Sequence, residues 1–135
     1  MRFVQKVAAV FAVILIAVAL LGFFTGGMSM DAHMATSTKL VGMFPVNAAH
    51  NAVHLAFGIW GLVAARSAVT ARRYCILSGA IYLLLAGLGF VVPEVFGFIP
   101  IGGSDIGLHA VLGIALTAIG AMSSVDAEDV AVARA

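Results

Sequence analysis

Polar and apolar positions in this chain fall into long blocks. No Asp, Glu, Lys or Arg lies between Lys6 and Asp31, between Lys39 and Arg66, between Arg73 and Glu94, or between Asp105 and Asp126. The charges therefore leave four uncharged stretches of about 20–26 residues each. A helix needs about 20 mostly apolar residues to cross the hydrocarbon core of a bilayer. The blocks predict helices near residues 4–24, 46–65, 73–92 and 105–123. Lipid offers no partners to backbone N–H and C=O groups, so runs of this kind must satisfy them internally, as helices. A membrane barrel would need alternating segments of about ten residues, and the chain has no such pattern. The reading is an all-α polytopic membrane protein: one domain over residues 1–135, a bundle of four transmembrane helices, with residues 126–135 as a short polar tail.

Composition supports this reading. Hydrophobic residues make up 63% of the 135 and charged residues only 10%, against roughly 45–50% and 25% in a soluble domain. Too few polar groups are present to cover a water-soluble ball of this size, and the composition equally excludes a disordered chain or a disulfide-stapled mini-protein. The single cysteine, Cys75, has no partner in the chain. A net charge of +1 leaves no basic surface for nucleic acid. Arg2 and Lys6 precede the first block as they would in a signal peptide. The apolar run is longer than the usual h-region of roughly 7–15 residues and no A-x-A site follows it, so a retained helix is expected.

The distribution of positive charge sets the expected orientation. Four crossings place Arg2, Lys6, Arg66, Arg72, Arg73 and Arg134 on one side and Lys39 on the other. Both termini are then cytoplasmic. The loops at residues 25–44 and 93–104 face outward.

The second predicted helix opens with Asn47, His50, Asn51 and His54 at i, i+3, i+4 and i+7, one helical face, which Gly58 and Gly61 continue. Asp105, His109, Gly113, Thr117 and Gly120 make a comparable stripe on the fourth, and the third offers Ser78 and Tyr82. Polar side chains are costly against lipid, so both stripes should face the bundle interior in the outer half of the membrane. One reading of this cluster is structural, with interhelical hydrogen bonds and with Asp105 capping the fourth helix at the water interface. A second is a site for haem or a transition metal. His50 and His54 reach one ion from adjacent turns with His109 and Asp105 completing a mixed nitrogen–oxygen shell, or His54 and His109 serve as two axial haem ligands. A third is a proton relay through the histidines and Asp105. Four of the six methionines (Met28, Met30, Met34, Met43) fall in the first outer loop with His33. They are read as an amphipathic stretch on the bilayer surface, with soft Cu(I) ligation as the alternative. Glu94 is read as solvated, and Trp60 and Cys75 as packing.

The chain also carries an apparent repeat. Pro45, His50, His54 and Gly58 have the same spacing as Pro100, Asp105, His109 and Gly113, and Leu21-Gly22-Phe23 matches Leu88-Gly89-Phe90. A duplicated helix pair would give both copies the same orientation and a pseudo-two-fold axis along the membrane normal.

No G-x-S-x-G, H-E-x-x-H, phosphate-binding Gly-rich loop or C-x-x-C is present. The expected role is that of a non-catalytic structural or accessory component whose partners are the bilayer and either further copies of itself or a larger membrane complex. The alternatives are a haem- or metal-binding redox module using His50, His54 and His109, and a small oligomeric transporter or proton-relay subunit. The run from Gly42 to Gly58, with Phe44, Val46, Asn47, His50, Asn51, His54 and Leu55, followed by a late helix carrying His109, resembles the small bacterial four-helix membrane proteins grouped as domain of unknown function 4383. The resemblance extends from the first helix to about Met122 and implies a bacterial plasma-membrane protein. It brings no biochemical role to Asn47, His50, Asn51, His54 or His109.

Overall fold

The computed structural model describes residues 1–134, with the side chains of Glu128, Val132, Ala133 and Arg134 outside the description. The chain runs α1 (Phe3–Gly26), β1 (Thr38–Leu40), β2 (Phe44–Val46), α2 (Ala48–Ala64), α3 (Ala68–Val91), α4 (Ser104–Met122) and α5 (Ala127–Arg134), with a short 3₁₀ turn at Val95–Gly97. Four long helices form the body. α1, α3 and α4 are long and apolar enough to cross a membrane, and α2, at 17 residues, is shorter. Their outward faces carry exposed Val10, Ile14, Leu84, Val111 and Ile114, a surface suited to lipid and costly in water.

The helices pack in two pairs, α1 with α2 and α3 with α4, and the pairs meet mainly where α3 lies against α1 and α2. Small residues let the backbones approach within each pair. A Cβ added to Gly58 of α2 would stand 2.9 Å from the Ala12 carbonyl and 2.5 Å from the Ile16 side chain on α1. A Cβ on Gly113 of α4 would stand 3.0 Å from the Gly79 carbonyl and 2.8 Å from the Leu83 side chain on α3. Between the pairs lies an aromatic core of Phe11, Tyr74 and Tyr82, with Leu15 and Leu116 beside them. The Phe11 and Tyr82 rings meet edge to face at 5.8 Å, and the Tyr74 hydroxyl donates to the Phe57 carbonyl at 3.1 Å. Buried Cys75 sits in this core.

One end of the bundle is tied by polar contacts. Gln5 donates to the Ala65 carbonyl at 3.0 Å, and Arg2 pairs with Asp126 and, at 2.8 Å, with Asp129. The N-terminus, the α2–α3 turn and α5 are thus neighbours. The Asp129 backbone N–H and the Arg2 guanidinium hold the Asp126 carboxyl below its ordinary value. Within the expected polar tail, Ala127–Arg134 therefore form a helix that is anchored to Arg2. Arg134, counted among the basic residues on this side, has its side chain outside the described residues.

Two helix starts and one loop contact differ from the sequence expectation. Ser67 caps α3 by accepting from Thr70 N at 3.2 Å, so α3 begins at Ala68 and includes Arg72 and Arg73. α2 begins at Ala48 because Pro45 and Val46 belong to β2, which pairs antiparallel with β1 (Thr38↔Val46, Lys39↔Pro45, Leu40↔Phe44). The first loop thus closes in a small hairpin whose tip, Val41-Gly42, has positive φ at both residues. Glu94, expected to be solvated, fastens the two loops at this end together: its carboxylate accepts from Met34 N at 2.9 Å and meets His33 Nδ1 at 3.2 Å.

Candidate functional site

The hairpin end of the bundle holds the polar residues. Asn47 caps α2, accepting from His50 N at 2.9 Å, and its amide donates to the Phe98 carbonyl at 2.8 Å and the Met30 carbonyl at 3.3 Å. One buried side chain thus starts the helix and knots both loops above it. A cap of this type contributes about 1 kcal/mol.

One turn further along α2, His50 is buried and faces α4. Asp105, in the first turn of α4, is buried as well. The residue at the α4 cap position is Gly103, with φ of 63°, and no side chain caps the helix. The expectation that Asp105 caps α4 at a water interface is therefore corrected. The glycine takes the left-handed conformation that ends the loop, and the carboxylate turns inward. Asp105 Oδ2 lies 3.3 Å from His109 Nδ1 and 3.7 Å from His50 Nε2, and it accepts no hydrogen bond. His109 Nδ1 instead contacts the Asp105 carbonyl at 2.9 Å. The His50 and His109 rings lie nearly parallel at 6.2 Å, and Tyr82 meets His109 edge-on at 4.9 Å.

The other two candidates stand apart from this group. His54 packs against His50, ring centres 4.5 Å apart, and its Nδ1 is unpartnered. Asn51 is buried against α1, where Gly22 leaves the space for it, and both of its amide atoms lack a partner. Ligand atoms of His50, Asp105 and His109 lie within 4.8 Å of one another. Among the six polar residues, the three that converge are thus one histidine from α2 and the Asp–His pair of α4, and His54 is not among them.

A cavity of about 200 Å³ adjoins the group, lined by His50, His54 and His109 and otherwise by apolar side chains such as Phe57, Tyr82 and Ile101. That is below the roughly 300–1,000 Å³ of ordinary small-molecule sites. It has room for waters or a small ligand and too little for a porphyrin. With His50 packed against His54 and facing His109, the geometry does not favour the arrangement of His54 and His109 as axial haem ligands.

The fold and the cluster together define a class of protein: an all-helical chain with several helices apolar enough for a membrane and an ionisable group buried between them. The chain belongs to the family described as a domain of unknown function (DUF4383), whose model matches residues 5–122. The match runs from Gln5 in the first turn of α1 to the last residue of α4, with α5 outside it. No curated protein and no solved structure matches the chain.

Proposed function

We propose that the chain is an integral protein of the bacterial plasma membrane, a non-catalytic accessory module built as a four-helix transmembrane bundle with both termini in the cytoplasm. Its working part is the cluster of Asn47, His50, Asn51, His54, Asp105 and His109 in the outer half, which holds a ligand or a partner. The observation that carries this reading is the burial of Asp105 between two histidines, in a bundle whose lipid-facing surface is apolar. A carboxylate in such a place is expensive and marks a functional site by default. At 17 residues, α2 is at the short end of the spanning range of roughly 17–25. Its pairing with α1 and its position between the hairpin and the turn at Arg66 support a fourth crossing. Arg2, Lys6, Arg66, Arg72 and Arg73 gather at the end where the termini meet, which favours that end as cytoplasmic.

The bundle is further read as a duplicated helix pair. The shifts in numbering that carry Gly22 onto Gly89 and Pro45 onto Pro100 also carry Ala12, Ile16 and Gly58 onto Gly79, Leu83 and Gly113. The atoms that meet in the first pair have counterparts that meet in the second. Asn51, beside Gly22, is carried onto Ile106, beside Gly89. His50 is carried onto Asp105, and these two face each other, as residues on a pseudo-two-fold axis do.

The test is thiol labelling in intact cells. On a Cys75→Ala background, Gly42→Cys in the hairpin and Phe96→Cys in the second loop should react with a membrane-impermeant maleimide. Ser124→Cys should react only after permeabilisation. Labelling of Ser124→Cys in intact cells, or protection of the two loop positions, overturns the topology.

A further inference from the structure

We propose that His50, Asp105 and His109 bind one divalent transition-metal ion of the zinc class, with an open coordination position facing the adjoining cavity. The three ligand atoms lie within 4.8 Å of one another. Bonds of about 2.0–2.2 Å to nitrogen and oxygen place tetrahedral ligands about 3.4 Å apart. The group is therefore slightly open relative to a filled site, and small rotations of three side chains close it.

The electrostatics point the same way. Asp105 Oδ2 is wedged between two imidazoles at 3.3 and 3.7 Å without accepting a hydrogen bond, and the buried Nδ1 of His50 also has no partner. Among the described residues, no Lys or Arg pairs with Asp105. Unpaired buried charge costs several kcal/mol, and a dication would supply the missing partner.

The donor set narrows the ion. Two imidazoles and one carboxylate do not suit Ca²⁺ or Mg²⁺, which take six or more oxygens or keep several waters. No thiolate belongs to the group, which removes the soft ligand that Cu(I) prefers. Three protein ligands and a free position match the arrangement that zinc takes when it keeps a water. The cavity of about 200 Å³ holds that water. His54 borders the same cavity and lies against His50, so it lines the open position and is not one of the three ligands.

This inference deepens the reading of the cluster as the working part of the bundle. The labelling test reports topology whether or not the ion binds, so the two fail separately. The full chain, purified in mild detergent and stripped with a chelator, is titrated with Zn²⁺ and with Co²⁺ as a coloured probe, and its metal content is measured after dialysis. The expected result is one equivalent per chain with a visible Co²⁺ spectrum. Loss of a supporting partner beyond the ligands already costs roughly 10–100-fold in metal affinity. Asp105→Asn and His109→Gln should therefore each weaken binding by at least about tenfold. His33→Gln, in the exposed loop, should leave binding unchanged. His50→Gln gives a second reading if an α4 variant does not fold, with helical circular dichroism and elution volume as the check on folding. No retained ion at micromolar Zn²⁺ overturns the proposal. So does binding that survives in Asp105→Asn and vanishes in His33→Gln, or a Soret band in place of a bound ion.

Discussion

The two helix pairs share a seam and differ in what they hang on it. In α1/α2, Gly58 admits Ala12 and Ile16, and Gly22 leaves space for the Asn51 amide. In α3/α4, Gly113 admits Gly79 and Leu83, and the neighbour of Gly89 is the Ile106 side chain. The first pair contributes Asn47, His50, Asn51 and His54 to the hairpin end, and the second contributes Asp105 and His109. Close backbone contact is thus common to both pairs, while chemistry divides between them. The α3/α4 pair alone would hold the carboxylate and one histidine, and the second imidazole beside Asp105 comes from α2.

The comparison breaks most readily at the seam. A Cβ on Gly79 would stand 2.6 Å from Thr117 N and 2.8 Å from the Gly113 carbonyl, backbone atoms that cannot swing aside. Gly79→Ala should cost about 3 kcal/mol, at the upper end for overpacking, with Gly58→Ala somewhat less. Thermal unfolding in detergent measures both. A Gly79→Ala protein as stable as the parent would show that the α3–α4 backbones are not in contact there.

Gly22 and Gly89 separate the two pairs. The atoms nearest a methyl on Gly22 belong to the Asn51 amide, whereas one on Gly89 meets the Ile101 carbonyl at 2.7 Å. Gly22→Ala should cost about 1–2 kcal/mol, and combining it with Asn51→Ala should recover most of that loss. Gly89→Ala should cost more and have no such rescue. Equal losses without rescue would erase the distinction.

Asn51 gives a smaller effect. Its amide atoms have no partners, so Asn51→Ile, which copies the other pair, should leave stability within about 1 kcal/mol of the parent or raise it. A loss of more than that would reveal a partner for the amide.

The smallest effect concerns the other end of the bundle, where both pairs meet α5. The Asp126 carboxyl is held below its ordinary value by Asp129 N–H and Arg2. Its contribution is therefore complete above the unfolded carboxylate range, near pH 4, and is lost as pH falls through the lower folded value. Proteolysis of α5 should quicken below about pH 4 and should be equally quick at pH 7 in Arg2→Ala. Cleavage independent of both would dismiss the Arg2 anchor.

Much of the fold was legible because long apolar runs permit few structures, and every one of the four long helices overlaps its uncharged block. Their ends were not. Ser67 starts α3 five residues early through a single side-chain bond, and Pro45 joins a hairpin because a partner strand is within reach. Glu94 looked solvated because it follows Pro93 at the outer end of the third helix. Its partners, His33 and the Met34 N–H, lie on another loop.

For the candidate site, periodicity named the polar faces of α2 and α4, because 3.6 residues per turn fix which side chains share a side. Sequence alone determined the helical class, the apolar partition, the charge asymmetry between loops and the residues on which the family resemblance rests. It did not determine which polar residues meet. That Asp105 turns inward beneath Gly103, that His50 faces it across the bundle, and that Asn51 points away toward Gly22 were decided by how the two pairs pack. A residue's face is a property of its own helix, whereas its partner depends on the rotation and crossing of two helices, and the packing of the whole molecule sets those.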